Sequence, residues 1–302
     1  MSAPIIAAYD PYVEDRAPVE LALAAARVTG ARVVAAAVYP WGLSEGWSNP
    51  QVEPSSEERL HGVMQRLHDE LEVETRVLED LSVPAALHAL ARELEAGLIV
   101  VGSTDRSAAG RVLTGSTAQR LLQGAPCPVA LAPSGYLAEP VNTIAVGFVD
   151  SPEGRAALRA AHVLAQRADA RLRVVAALHP SGGLDAAFAG SAKPERGSQL
   201  QGHQRGKVEV AMQRAVGELN AGVEIFPELH VDDPADVLLR ISGNVELLVC
   251  GSRGYGPLRS VLLGGVSGRL VDESSCPVLV LPRETRQPLE DLVALSATAE
   301  RR

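Results

Sequence analysis

The chain has 302 residues, 46% of them hydrophobic but only 3% aromatic, and a net charge of −9. That length predicts two domains, with cores built from Ala, Val and Leu. The acidic balance excludes the phosphate attraction on which nucleic-acid binding rests, and no Lys/Arg block offers a local exception. Cys127, Cys250 and Cys276 have neither disulfide-framework parity nor metal-ligand spacing, so a reducing compartment is expected. The opening MSAPIIAAYD has no basic region and no apolar run approaches a membrane span. A soluble, cytoplasmic protein without membrane or nucleic-acid partners is expected.

Taken in order, the first half predicts a short apolar strand at Ile5–Tyr9 and an alanine-rich helix at Val19–Val28. A second strand follows at Arg32–Val38, then an exposed Gly/Ser/Pro loop at 40–56. A polar helix near 57–70 leads to a strand at Glu72–Leu78 and a helix opened by Pro84, where a missing N–H costs nothing. The apolar run Leu98–Val101, a glycine phrase, a further helix and a last strand at Val129–Leu131 complete the half. The second half repeats this order. Strands are predicted at Ile144–Phe148, Leu172–Leu178, Val223–Leu229, Leu247–Cys250 and Val278–Leu281. The intervening helices are Ala156–Ala168, 207–219 and one opened by Pro234, with a loop at 180–206.

Landmarks recur at a fixed spacing. Leu98–Gly102 returns as Leu247–Gly251, Gly115 as Gly264 and Cys127-Pro128-Val129 as Cys276-Pro277-Val278, each 149 residues on; Arg16-Ala17 returns as Arg155-Ala156 after 139. Such agreement indicates a tandem duplication with about ten residues added to the middle loop of the second half. The halves are bounded at 1–136 and 141–286, leaving a tail at 287–302. Apolar strands alternating with helices predict a parallel sheet covered on both faces in each half. Ligands of such sheets sit at the carboxyl ends of the strands, where the strand order reverses.

Each glycine phrase, GSTDRSAAGRVLTGSTA at 102–118 and GSRGYGPLRSVLLGGVS at 251–267, follows a buried strand and precedes a helix. Glycines there let backbone N–H groups approach an anion with no Cβ in the way, and the helix aims its positive end at the same point. A strand-to-helix turn also uses Gly merely to turn, so a single G-x-x-G carries little. A second Gly-Ser ten residues later, duplicated in the other half, carries more.

The pattern G-x-x-G, nine residues, then G-S or G-T resembles the nucleotide-binding signature of universal stress proteins. Gly251, Gly254 and Gly264 match it, as do Gly102, Gly115 and Ser116. The resemblance extends over nearly the whole chain through Asp10, Asp150-Ser151-Pro152-Glu153, the Pro-Ala helix starts and the Cys-Pro-Val strands. It implies two adenine-nucleotide alpha-hydrolase-like α/β domains of strand order 3-2-1-4-5, paired through their last strands as an intramolecular pseudo-dimer. It further implies ATP, with Mg²⁺ as an optional companion. The phosphates would be held by Gly102, Gly115, Ser116 and Thr117 in one half and by Gly251, Gly254, Gly264, Gly265, Val266 and Ser267 in the other. The adenosine end would lie beside Asp10 and Val38, or beside Asp150 and Leu178.

Both copies depart from the pattern. In the first, Asp105 stands where the second glycine belongs, and a carboxylate about 5 Å from a phosphate charge costs about 3 kcal/mol at an effective dielectric near 20. In the second, Gly265 replaces the hydroxyl residue, a loss of about 1 kcal/mol. There Val149 also occupies the place of the strand-end Asp, with Asp150 one step later. A misplaced charge outweighs a missing hydroxyl, so these magnitudes favour ATP in the second half, through Gly251, Gly254, Gly264 and Ser267.

Other chemistry lacks its residues. No G-x-S-x-G, H-E-x-x-H or G-x-x-x-x-G-K-[ST] occurs, so no catalytic or metal site is assigned. His61 and His68 share a helix face that reads as solvated, and the cysteines read as packing. The expected function is a non-enzymatic, nucleotide-binding stress-response regulator with an unidentified protein partner and a homodimer as an open option. The alternatives are a scaffold that has lost nucleotide binding, and a weak ATPase.

Overall fold

Strands with no polar face can exist only inside a sheet covered on both sides, and several strands of this chain are of that kind. The computed structural model describes residues 3–10, 15–39, 56–102, 116–179, 194–252 and 265–282. The chain divides into two units between Glu139 and Pro140. The first contains β1 (Ile5–Ala8), α1 (Ala17–Thr29), β2 (Val33–Tyr39), α2 (Ser56–Leu71), β3 (Glu74–Glu79), α3 (Val83–Glu93), β4 (Leu98–Gly102), α4 (Ser116–Leu122) and β5 (Val129–Ala132). The second contains β6 (Thr143–Gly147), α5 (Pro152–Ala168), β7 (Arg171–Leu178), α6 (Pro194–Gly217), β8 (Ile225–Val231), α7 (Pro234–Ser242), β9 (Leu247–Gly251), α8 (Gly265–Glu273) and β10 (Val278–Leu281).

Strand order is β3-β2-β1-β4-β5 in the first unit and β8-β7-β6-β9-β10 in the second, with parallel pairing within each. Each unit therefore has the expected order 3-2-1-4-5. The central strands are the most apolar: Ile5, Ile6 and Ala7 are fully buried, as are Val34, Ala35 and Ala37. Alanine on β2 leaves room for helices to approach, which is how a chain poor in aromatics fills its core. The edge strands differ. β3 reads ETRVLE, and β8 carries Pro227, whose missing N–H is tolerated where only one side of a strand is paired.

Helix ends follow local chemistry. Ser151 caps α5, its Oγ accepting the Gly154 N–H at 3.0 Å. Asp233 caps α7 by accepting from Ala235 and Asp236. Gly30, at φ 68°, ends α1 in the left-handed region that glycine enters without strain. No helix among the described residues is long and apolar enough to cross a membrane.

Strand register refines the internal repeat. Ile5 faces Val33 and Ile144 faces Leu172, an offset of 139. Val34 faces Glu74 and Arg173 faces Phe226, an offset of 152 at the third strand; by the fourth it is 149. The second half thus gains residues before β8 and loses some after it. Much of the gain is helical: α6 has 24 residues against 16 in α2. Residues 194–206, expected in a loop, are therefore helix. Gly202 and Gly206, each costing about 1 kcal/mol relative to Ala in a helix, disguise it. The remainder of the two loops, 40–55 and 180–193, and the tail 287–302 lie outside the described residues.

Candidate functional site

The strand order reverses between β1 and β4 in the first unit and between β6 and β9 in the second, so ligand-binding residues belong at the carboxyl ends of these strands. Register fixes which residues correspond. The Tyr9 N–H donates to the Ala36 carbonyl, and the Phe148 N–H to that of Val175, each at 2.8 Å. Asp10 and Val149 therefore hold equivalent places immediately after the strand. Likewise the Asp80 N–H donates to the Tyr39 carbonyl and the Asp232 N–H to that of Leu178. Leu178 is thus the counterpart of Tyr39, and Ala177 that of Val38. The expected pairing of Val38 with Leu178 was one residue out, which in a strand means the opposite face.

In the second unit a cleft lies at this point, lined by Val149, Ala177, Leu238, Gly251, Val266 and Ser267 among others. Its cavity volume is about 30 Å³. That holds a water molecule or two, whereas sites for small organic ligands span roughly 300–1,000 Å³. Side chains account for the filling. A Cβ placed on Gly147 would sit 3.1 Å from Leu238 Cδ1, so that leucine lies directly over the strand end. Phe148 is buried beside it. Gly251 packs against the first turn of α5, where an added Cβ would meet the Glu153 carbonyl oxygen at 3.3 Å. Here the glycine serves close packing of helix on strand.

Two residues expected to hold a nucleotide are engaged elsewhere. Ser267 is buried and its Oγ donates to the Gly251 carbonyl at 3.1 Å, so its hydroxyl serves the fold. Asp150 is exposed, does not line the cleft, and binds Arg155 Nε at 2.8 Å. One residue beyond Val149, the carboxylate stands exposed on Arg155. Gly265 is exposed and Val266 half-buried at the start of α8. Gly254 and Gly264 lie outside the described residues. Among the described residues of the second unit, neither the Ser267 hydroxyl nor the Asp150 carboxylate is turned to this cleft.

The first unit differs at the same points. Asp10 is exposed at the end of β1. Ala8 stands in place of Gly147. Leu87, fully buried, holds the place of Leu238: buried Ala86, Leu90 and Ala91 match Val237, Ile241 and Ser242 around it. His88 turns to α4 and donates through Nε2 to the Leu121 carbonyl at 2.7 Å. Burial holds its pKa below the ordinary histidine value. Val38 and Thr117 are half-buried. Gly102 lets Pro18 approach, since a Cβ there would lie 3.1 Å from the proline Cγ. Ser116 begins α4; Asp105 and Gly115 lie outside the described residues. The strand-end carboxylate, Asp10 against Val149, is where the first unit differs from the second.

Other reactive side chains are structural. Desolvation pushes the Cys127 and Cys250 thiols up to about 12 and Cys276 to about 11. His68 Nδ1 donates to the Val73 carbonyl at 2.6 Å, tying α2 to the start of β3. No cluster of His, Cys, Asp and Glu among the described residues is arranged to hold a metal ion.

Comparison with known proteins gives one consistent result. The universal stress protein family matches residues 1–133 and again 140–282. A universal stress protein of Mycobacterium tuberculosis H37Rv is 28% identical over 260 residues, 79% of this chain and 82% of its own. Among solved structures, a functionally unknown protein of Pseudomonas aeruginosa PAO1 aligns over 100% of this chain and 98% of its own, with TM-score 0.64 and 18% identity. A universal stress protein of Archaeoglobus fulgidus aligns over 94% and 100%, with TM-score 0.63 and 15% identity.

Proposed function

The chain belongs to the universal stress protein family, and on that premise we propose that it is a non-catalytic regulator whose first half binds an adenosine nucleotide. Asp10 carries this reading: the carboxylate at the end of the central strand is present in the first unit, where its register equivalent in the second is Val149. From sequence alone a missing hydroxyl is less damaging than Asp105, which favours the second half. The strand-end carboxylate, present as Asp10 and replaced by Val149, reverses that ranking. Asp10 and Val38 hold the adenosine end, with Gly102, Ser116 and Thr117 toward the phosphates. Asp105 penalises each added phosphate charge, so the ligand is better suited as adenosine or AMP than as ATP with Mg²⁺.

Calorimetric titration of adenosine, AMP and ATP tests the reading. Asp10→Ala abolishes binding and Ser267→Ala leaves it unchanged; full affinity in the Asp10 variant overturns the assignment. Mass spectrometry of nucleotide released by denaturation tests binding independently. The filled second cleft favours one further reading, in which the fold serves only as a scaffold. A protein that neither releases nor binds nucleotide establishes it, and phosphate release on incubation with ATP would establish a weak ATPase instead.

A further inference from the structure

An open groove of about 650 Å³ runs between the N-terminal turn of α5 and the long helix α6. His203, Lys207, Val210 and Arg214 line it from α6, and Asp150 and Arg155 from the other side. Arg155 is bound to Asp150 at 2.8 Å and Glu218 at 3.1 Å. The α6 cations are not: among the described residues no carboxylate pairs with Lys207 or Arg214. Arg205 and Glu209, an i,i+4 pair, satisfy each other outside the groove. Val210 stands between the cations at 59% exposure. In a chain of net charge −9, unpaired positive charge gathered on one helix face is a local reversal of field, which attracts anions selectively.

We propose that this groove is a docking site for an extended acidic peptide segment of a protein partner, with an apolar side chain seated on Val210. Spacing favours a peptide over a small anion. Lys207 to Arg214 spans seven helical rises, about 10 Å, the reach of roughly three extended residues. Cations so spaced, with exposed Val210 between them, match two carboxylates flanking an apolar side chain along an extended segment. The glycines at 202 and 206 add no side chain that would hold a peptide off; nothing lies within 4 Å of a Cβ on either.

Fluorescence anisotropy of a labelled peptide of alternating glutamate and leucine, added to the full chain, tests the proposal. Binding that weakens as salt rises is expected. Lys207→Glu with Arg214→Glu weakens it by about tenfold or more, and Val210→Asp weakens it at constant salt. Both sets of changes are on the exposed face of α6, and circular dichroism checks the fold. Equal affinity in the charge-reversed variant overturns the site. Displacement by tripolyphosphate as efficient as by unlabelled peptide overturns the peptide as occupant. AMP leaves the peptide bound, which separates this groove from the nucleotide assignment.

Discussion

The Ser267 hydroxyl donates to the Gly251 carbonyl across 3.1 Å, joining the first turn of α8 to the end of β9 inside the core. Replacing Ser267 with Ala leaves that carbonyl without its buried donor. The expected cost is about 1–2 kcal/mol, read as a lower urea midpoint at unchanged slope. A neutral effect on stability would show that the hydroxyl is free for another role.

Gly154 tolerates no side chain. A Cβ there would fall 2.0 Å from the Val149 carbonyl oxygen, so Gly154→Ala must move the β6–α5 turn. A loss of about 3 kcal/mol or more is expected, seen as a fall in thermal midpoint or in soluble yield. Gly206→Ala is the control. With nothing near its Cβ position, it stabilises α6 by up to about 1 kcal/mol.

Arg173 holds Glu228 through two hydrogen bonds, at 2.6 and 2.9 Å, across β7 and β8. That pairing, opposed by partial burial and aided by His230, keeps the Glu228 carboxyl below its ordinary value of 4.5. The stabilisation is present above that value and is lost as pH falls through the lower folded one. Glu228→Gln is therefore less stable than the parent at neutral pH, and the two converge in acid unfolding followed below pH 4.5.

The thiols give the opposite pH dependence. With folded values near 12, 12 and 11, each stays protonated while an unfolded thiol ionises near 9. Stability is complete below that point and declines as pH rises toward the folded values. Iodoacetamide at pH 8 should label no cysteine of the folded protein and all three in urea. Rapid labelling of any one under native conditions would show that its burial is transient.

Much was legible in the chain itself. The apolar runs at Ile5–Tyr9 and Ile144–Phe148, the Pro-Ala helix starts and the 149-residue spacing of Cys127-Pro128 and Cys276-Pro277 contain the architecture. Short-range periodicity and punctuation are enough to specify a parallel sheet. The site was less legible. Val38 and Leu178 each read as the end of the second strand, but the 139-residue offset and the hydrogen bonds from Asp80 and Asp232 show the partner of Val38 to be Ala177. Asp150 looked like a displaced ligand until its bond to Arg155 showed it turned outward.

His203, Lys207 and Arg214 form no block in sequence, and two glycines disguised the helix that places them on one face. Composition and order determined the twinned sheets, because strand and helix formation depend on neighbours a few residues apart. Whether a cleft at a strand end is open, filled by Leu238 or flanked by unpaired cations depends on side chains from segments distant in the chain. That was decided only when the tertiary structure brought them within a few ångströms of one another.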